Sequence, residues 1–554
     1  MKDFKKSVVY QIYPKSFNDS NGDGIGDIRG IIQKLDYIKT LGVNYIWLTP
    51  MYISPQKDNG YDVADYYNID PAYGTMGDFE ELIKEANARE IDIMLDMVFN
   101  HTSTEHEWFK KALAGDKKYK NYYIFKKGKD GNPPTNWISK FGGSAWEYVE
   151  ALDEYYLHLF DVTQADLNWD NEEVRKEIYK VANFWLEKGV KGFRLDVINL
   201  ISKPEIFEDD NIGDGRRFYT DGPNIHRYLK ELNENTFGRY DNIITVGEMS
   251  STTIENCIKY SGKDENELSM VFNFHHLKVD YKDGEKWSLM DFDFKQLKKL
   301  FNSWQRGIID GDGWNALFWC NHDQPRINSR FGDVNTYLKE SSKMLATAVH
   351  MMNGTPYIYQ GEEIAMTNPE FESINEYRDV ESINYYNILK EDGMDDDKII
   401  RILRSKSRDN SRTPIQWDSS INAGFTTGTP WINTSKRYKE INAENNLNDK
   451  DSVFYHYKKL IELRKEENII SYGDYRILDE KNSRIYAYER SYEGDSIVVV
   501  NNFYDEVGVI NLSKEIELEG KKVEILLSNY KDSSIDISNL SLRPYESVVY
   551  KIIK

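Results

Sequence analysis

Eight short apolar runs, separated by stretches with helical periodicity, leave this chain few architectures. They are Val8–Tyr13, Tyr45–Leu48, Ile91–Phe99, Val190–Asp196, Ile243–Val246, Met270–Phe274, Ala316–Cys320 and Pro356–Tyr359. Strand-length runs alternating with helical patterns predict an α/β fold, an eight-stranded parallel (β/α)8 TIM barrel. Between the second and third runs, Phe79, Leu82, Ile83 and Ala86 recur on one helical face. Before the fourth, Val174, Ile178, Val181, Ala182 and Trp185 do the same, and Gly189 stands where a helix commonly stops. The fourth run therefore reads as a buried strand that carries Arg194 and Asp196 at its C-terminal end. At a period of two, both point to one side.

Two segments break the alternation. Residues 101–170 are rich in Trp, Tyr, Gly and Lys with weak periodicity, and read as a small domain inserted after the third strand. Residues 368–451 read as an irregular, charged excursion. The barrel is then expected over 1–100 and 171–474. From 475 to 554 the pattern turns to strict alternation with turn residues between, which predicts a C-terminal antiparallel β-sandwich domain.

Composition excludes several classes. A formal charge of −21 with no basic stripe argues against nucleic-acid binding. Only Cys257 and Cys320 occur, too few for a disulfide framework. The start MKDFKKSVVYQIYP has no apolar core and no small-residue cleavage site, and no window approaches a membrane span, so a cytoplasmic enzyme is expected.

The tips of the runs carry the chemistry, as barrel enzymes require. The third ends DMVFNH, giving Asp96, Asn100 and His101; the fourth gives Arg194 and Asp196; the fifth ends TVGEM with Glu248; the seventh ends CNHD with His322 and Asp323. A single acid at a strand end is usually solvated or capping, but acids from three strands are hard to explain as packing. The scarcity of His and Cys argues against zinc, and the absence of GxxxxGK[ST] argues against a P-loop. Glycoside cleavage fits, because it needs one ionised carboxylate below the sugar and one protonated acid beside the leaving oxygen. Asp196 beside Arg194 suits the nucleophile, since a guanidinium favours the ionised form. Glu248, expected against the apolar wall of ITVGEM, suits the acid and base, and Asp323 is left to stabilise the transition state.

With DMVFNH, GFRLDVIN, TVGEM and WCNHD in this order, the chain resembles the α-amylase superfamily of retaining glycoside hydrolases over essentially its whole length. The resemblance implies the same three roles for Asp196, Glu248 and Asp323. It also implies that Asp58 and Tyr61 in KDNGYD, His101, Arg194, His322 and Arg408 in SRDNSRTP hold the non-reducing glucose, and that both accessory domains exist. Near the start, DSNGDGIGD sets Asp19, Asn21, Asp23 and Asp27 at alternate positions with the Ile25 carbonyl between them. Gly30 replaces the EF-hand glutamate, so the loop is not an EF-hand; relatives that carry a structural calcium at a similar loop imply Ca2+ here, against a plain Asx turn. No organic cofactor is expected.

MMNGTPYIYQGEE and RDNSRTPIQWD resemble the oligo-1,6-glucosidase branch, which includes isomaltose hydrolases, sucrose isomerases and enzymes of trehalose 6-phosphate. GFRLDVINLISK, GDGRRFYTDGPNIH, TVGEMSSTTIENCIKY and FNFHHLKVDYKDGEKW resemble the members that cleave trehalose 6-phosphate. That implies a small sugar phosphate as substrate and neither nucleic acid nor membrane as partner. An oligo-1,6-glucosidase is the alternative with the same acids; a sucrose isomerase, or a non-catalytic homologue attached to a transporter, is a weaker one. In HHLKVDYKDGEKW, Lys278 and Lys286 are the expected phosphate contacts, since an acidic protein that selects a dianion must gather cations locally.

Overall fold

The computed structural model describes residues 3–553; residues 1, 2 and 554, which the expected domain limits include, lie outside the described residues. Each of the eight runs holds a strand: β1 Val9–Ile12, β2 Tyr45–Leu48, β3 Asp92–Met97, β4 Gly192–Leu195, β5 Ile244–Glu248, β6 Met270–Phe272, β7 Ala316–Leu317 and β8 Thr355–Tyr359. Every pairing is parallel and follows chain order, and β1 pairs with β8 through Val9 and Tyr357. A parallel bridge from Val271 to Asn315 joins β6 to the approach of β7 and closes the ring. The strands are buried except at Asp92 and Glu248, because helices cover the outside and side chains fill the inside.

Helix α1, Met76–Ala88, starts at a capping box in which Thr75 and Asp78 exchange hydrogen bonds, and it buries Phe79, Leu82, Ile83 and Ala86 against the barrel. Helix α2, Glu172–Glu187, is capped by Asn171 and buries the apolar face read from its sequence. Gly189 follows at a φ of +98°, where a side chain would be strained, and turns the chain into β4.

Between β3 and α2 the chain leaves the barrel. It forms a three-stranded antiparallel sheet from 125–126, 146–149 and 154–157, then returns as Gln164–Asp166 paired with His101–Ser103. Trp137, Trp146 and Leu157 pack with Val197, Leu200 and Tyr219, so this excursion sits on the C-terminal end of β4. The 368–451 segment differs from the sequence expectation: it contains the helices Val380–Glu391 and Asp396–Lys406 as well as irregular chain. Their start signals, Asp379 and Asp395, are side-chain caps lost among many other acids in the sequence.

The C-terminal strands are β9 Asp474–Leu478, β10 Ile485–Tyr492, β11 Asp495–Asn502, β12 Gly508–Asn511, β13 Lys522–Ser528, β14 Asn539–Leu542 and β15 Ser547–Ile553. They form an antiparallel five-stranded sheet, β9-β10-β11-β15-β13, and a β12-β14 pair around a separate core of Ile485, Val498, Val500, Ile510 and Val548. A fully buried arginine, Arg490, ties this unit to the barrel, and a second, Arg464 of helix Val453–Glu466, braces the barrel side of the joint. Arg490 donates to the carbonyls of Met351, Ile470, Gly473 and Asp474, and Arg464 to those of Lys5, His350 and Met352. The His350, Met351 and Met352 oxygens lie at the end of helix Leu338–His350, where carbonyls lack partners within the helix. Arg490→Ala should strip four carbonyls of their donor and cost roughly 3 kcal/mol or more. Calorimetry checks this, and an unchanged melting temperature would show that the arginine is not the tie.

Candidate active site

Arg194 is the hub of the barrel mouth. Only 1% exposed, it donates from one terminal nitrogen to Asp96 at 2.6 Å and Asp196 at 2.7 Å, and from the other to Glu248. Asp196 thus shares a guanidinium with Asp96 of β3 and Glu248 of β5. Glu248, expected against an apolar wall, meets this cation instead, because the barrel register sets Arg194 of β4 beside Val246 of β5. The Asp96 carboxylate also accepts from the Trp47 indole at 3.1 Å and the Tyr61 hydroxyl at 2.8 Å, both on the oxygen that Arg194 does not bond. Burial pushes Asp196 well above the usual carboxylate range; Arg194 opposes this, and the neighbouring carboxylates add to it. Three acids around one buried cation leave an excess of negative charge on this face. Directly after Asp196, Val197 has a φ of +35°, an unusual conformation for a β-branched residue and a strain of the kind stored at functional sites.

A second charged cluster faces the first. The short helix Asp409–Arg412 sets Arg408 and Arg412 four residues apart, on one face. Both reach Asp379, at 2.5 Å and 3.3 Å, and both reach Asp323, Arg408 at 3.3 Å and Arg412 at 2.7 Å. Arg408 also bonds Asp58 at 3.0 Å. Burial alone would raise Asp323, but His322, Arg408, Arg412 and Arg194 outweigh it and hold the carboxyl well below its ordinary value. For Asp58 the balance reverses: burial lifts it to about 7 against the pull of Arg408 and Arg412.

Between the clusters, Tyr61 stacks on His322 with ring centroids 5.1 Å apart. The turn that presents Tyr61 holds Asn59 and Gly60 at positive φ, and the Tyr61 N–H bonds the Asp58 carbonyl, so the two side chains emerge together. Burial lowers His322 to about 3 and His101 to about 4, so both rings are neutral near pH 7. Gln11 donates to His322 Nδ1 at 2.9 Å, which leaves the ring proton on Nε2, 3.2 Å from Asp323.

The cleft so formed is lined by Asp58, Tyr61, His101, Asp196, Glu248, Lys286, Asp323 and Arg408. Arg194 and His322 lie beneath as buried partners. Lys278 is not in the lining. It follows the short turn His275–Leu277 after β6, and burial, with the Arg216 charge, lowers the pKa of its ammonium. Lys286 is ion-paired with Glu381 at 2.7 Å. Sequence reasoning missed Asp379, Arg412, Gln164, Glu381, Phe141 and Phe160. Only Arg412 had a signal, the RDNSR spacing that places it one turn after Arg408. The loop holding Asp19, Asn21, Asp23, Ile25 and Asp27 lies apart from the cleft. There Asp19 accepts from the backbone of Asn21, Gly22 and Gly24, and Asp27 caps the following helix through Gly30.

Comparison with known proteins gives a consistent set of relatives. The model of the α-amylase catalytic domain matches residues 11–473, and that of the C-terminal domain of the α-amylase SusG matches 485–549. A trehalose-6-phosphate hydrolase of Bacillus subtilis is 58% identical over 553 residues, covering 100% of this chain and 98% of its own. An oligo-1,6-glucosidase of Bacillus cereus is 51% identical over 556 residues, covering 99% of each. The crystal structure of a Bacillus licheniformis trehalose-6-phosphate hydrolase superposes with a TM-score of 0.96 at 59% identity over the full length of both chains.

Proposed function

We propose a function for this chain, which belongs to the α-amylase family, as follows: it hydrolyses trehalose 6-phosphate to glucose and glucose 6-phosphate. The observation that carries the reading is full-length identity of 58% to an enzyme of that name. The site supports it, since three acids from separate strands converge on a sugar-sized cleft with a lysine at its edge.

The unphosphorylated glucose lies deepest, its hydroxyls held by Asp58, Arg408, His101 and His322, with Tyr61 as a stacking surface. Glu248 donates a proton to the glycosidic oxygen while Asp196 attacks the anomeric carbon, and glucose 6-phosphate leaves from the outer side. Glu248, now ionised, takes a proton from water, and that water opens the glucosyl ester on Asp196 and restores both acids. Arg194 touches both carboxyls, so it holds them in line while the proton moves between bound states. Asp323, kept ionised by the arginines and His322, stabilises positive charge as it develops on the sugar ring. Lys278 supplies positive charge on the leaving-sugar side, where Lys286, ion-paired with Glu381, lines the cleft.

Calcium is assigned to the early loop, with Asp19, Asn21, Asp23, the Ile25 carbonyl and Asp27 as ligands. Support comes from an all-oxygen donor set at alternate positions and from Gly24, where an added Cβ would meet the Thr429 carbonyl at 1.9 Å, so the loop is closely fitted to its surroundings. The ion would be structural. The reaction is placed in the cytoplasm, since its substrate is a sugar phosphate and both cysteines are free and buried.

A 51% identical oligo-1,6-glucosidase favours a second reading, cleavage of isomaltose by the same acids. Glucose 6-phosphate release from trehalose 6-phosphate, measured beside glucose release from isomaltose, separates the two; higher efficiency on isomaltose would reverse the order. Asp196→Asn should abolish turnover while keeping the wild-type melting temperature, and proton NMR of the wild-type reaction should show α-glucose first. Initial β-glucose would mean direct attack by water. Chelation should lower the melting temperature and calcium restore it; indifference to chelator would leave the loop a plain Asx turn.

A further inference from the structure

Strands β4 and β5, which carry Asp196 and Glu248 to the cleft, end side by side, and the chain beyond each end is held by the other. Past Asp196 the chain enters a short 3-10 turn, Ile198–Leu200, in which Asn199 is fully buried. Its side-chain amide bonds the backbone of Ser250 at both ends: Nδ2 donates to the Ser250 carbonyl at 2.9 Å, and Oδ1 accepts from the Ser250 N–H at 3.0 Å. Ser250 stands two residues past Glu248. Between them the Met249 N–H bonds the Phe272 carbonyl at 3.2 Å. On the other side of Glu248, a Cβ on Gly247 would fall 3.1 Å from the Ile198 side chain. The last β4–β5 pair is Leu195 with Gly247. An amide that satisfies both the N–H and the C=O of one residue acts as a further strand residue, so Asn199 extends the pairing past the point where the strands stop.

One carboxylate holds this clamp. Asp221 accepts from Asn199 Nδ2 at 3.0 Å and the Tyr260 hydroxyl at 2.6 Å on one oxygen, and from Thr252 Oγ1 at 2.8 Å and Asn256 Nδ2 at 2.9 Å on the other. Thr252 follows Ser250, and Asn256 and Tyr260 stand on the next helix, Ile254–Ser261. The backbone of Asp221 is fixed on the β4 side. Its N–H bonds the Asn199 carbonyl at 3.0 Å, and a Cβ on Gly222 would meet the Ser202 carbonyl at 2.0 Å. A carboxylate that accepts from several side chains at once is held more firmly than neutral bonds would hold it. Neither Asn199 nor Asp221 lines the cleft, so both act on a substrate only through Asp196 and Glu248.

We infer that Asn199 and Asp221 are positioning residues that set the general acid against the nucleophile. Arg194 fixes the two carboxyl groups at their tips; Asn199 and Asp221 fix the backbone beneath them. When Glu248 gives its proton to the glycosidic oxygen, its reach is set by where that backbone stands. The inference rests on the roles proposed for Asp196 and Glu248 and is independent of the leaving sugar.

The test uses the full chain and compares kcat/KM on phenyl α-glucoside, whose leaving phenolate needs a proton, with kcat/KM on α-glucosyl fluoride, whose fluoride draws little on an acid. Glu248→Ala should lower the ratio of the first to the second about a thousandfold. Asn199→Ala should lower it about a hundredfold, the scale of a misplacement of about 1 Å. Asp221→Asn, which keeps the shape and gives up the charge, should lower it about tenfold. Partial unfolding removes active enzyme and reduces both rates by one factor, so it leaves the ratio where it was. If Glu248→Ala lowers the ratio and Asn199→Ala does not, the clamp only supports the fold and the inference fails alone. If Glu248→Ala leaves the ratio unmoved, the assignment of Glu248 as the acid fails and the inference with it.

Discussion

A single buried guanidinium organises the catalytic face. Arg194 is buried and bonds three carboxylates, so its position dictates those of Asp96, Asp196 and Glu248 together. Removing a guanidinium from such a place would leave three acids in mutual repulsion and out of solvent, a loss far larger than that of one surface ion pair. Its face also meets the Trp47 and Tyr61 rings, at 5.2 Å and 5.8 Å, so the aromatic floor is part of the same arrangement. The strand register makes all this possible, since Asp96 and Arg194 are direct neighbours across β3 and β4.

The second cluster solves a different problem. Two arginines and three aspartates, with Asp379 at its centre, hold Asp323 ionised while Asp58 is raised to about 7. One protein face therefore keeps one acid permanently charged and another near its titration point within a few bonds of each other. The neutral stack of Tyr61 on His322 lies between the two clusters, and the Arg194 charge reaches across it to Asp323.

Much of this was legible in the sequence, and the reasons are physical. Barrel strands buried on both faces leave continuous apolar runs, which is why all eight stood out. Acids at their tips could be ranked because a strand end in such a barrel has only one working face. Asp379 and Glu381 could not, since nothing in YRDVES says that the chain folds back so that a helix cap becomes an arginine's partner. The helices at 380–406 were hidden for the same reason: their apolar residues pack on one another and on Trp287 rather than on the barrel, and charged neighbours mask the period.

The pairing of β1 with β8 has a consequence for synthesis. Val9 waits for Tyr357, so a nascent chain carries an open sheet edge for some 350 residues, on the order of tens of seconds at ordinary translation rates. Arg408 and Arg412 emerge later still. Until then Asp58 and Asp323 have no cation to answer them, and the sheet edge is a template for the wrong neighbour. The pocket thus stays incomplete on the ribosome until the segment that carries Arg408 and Arg412 has left the exit tunnel.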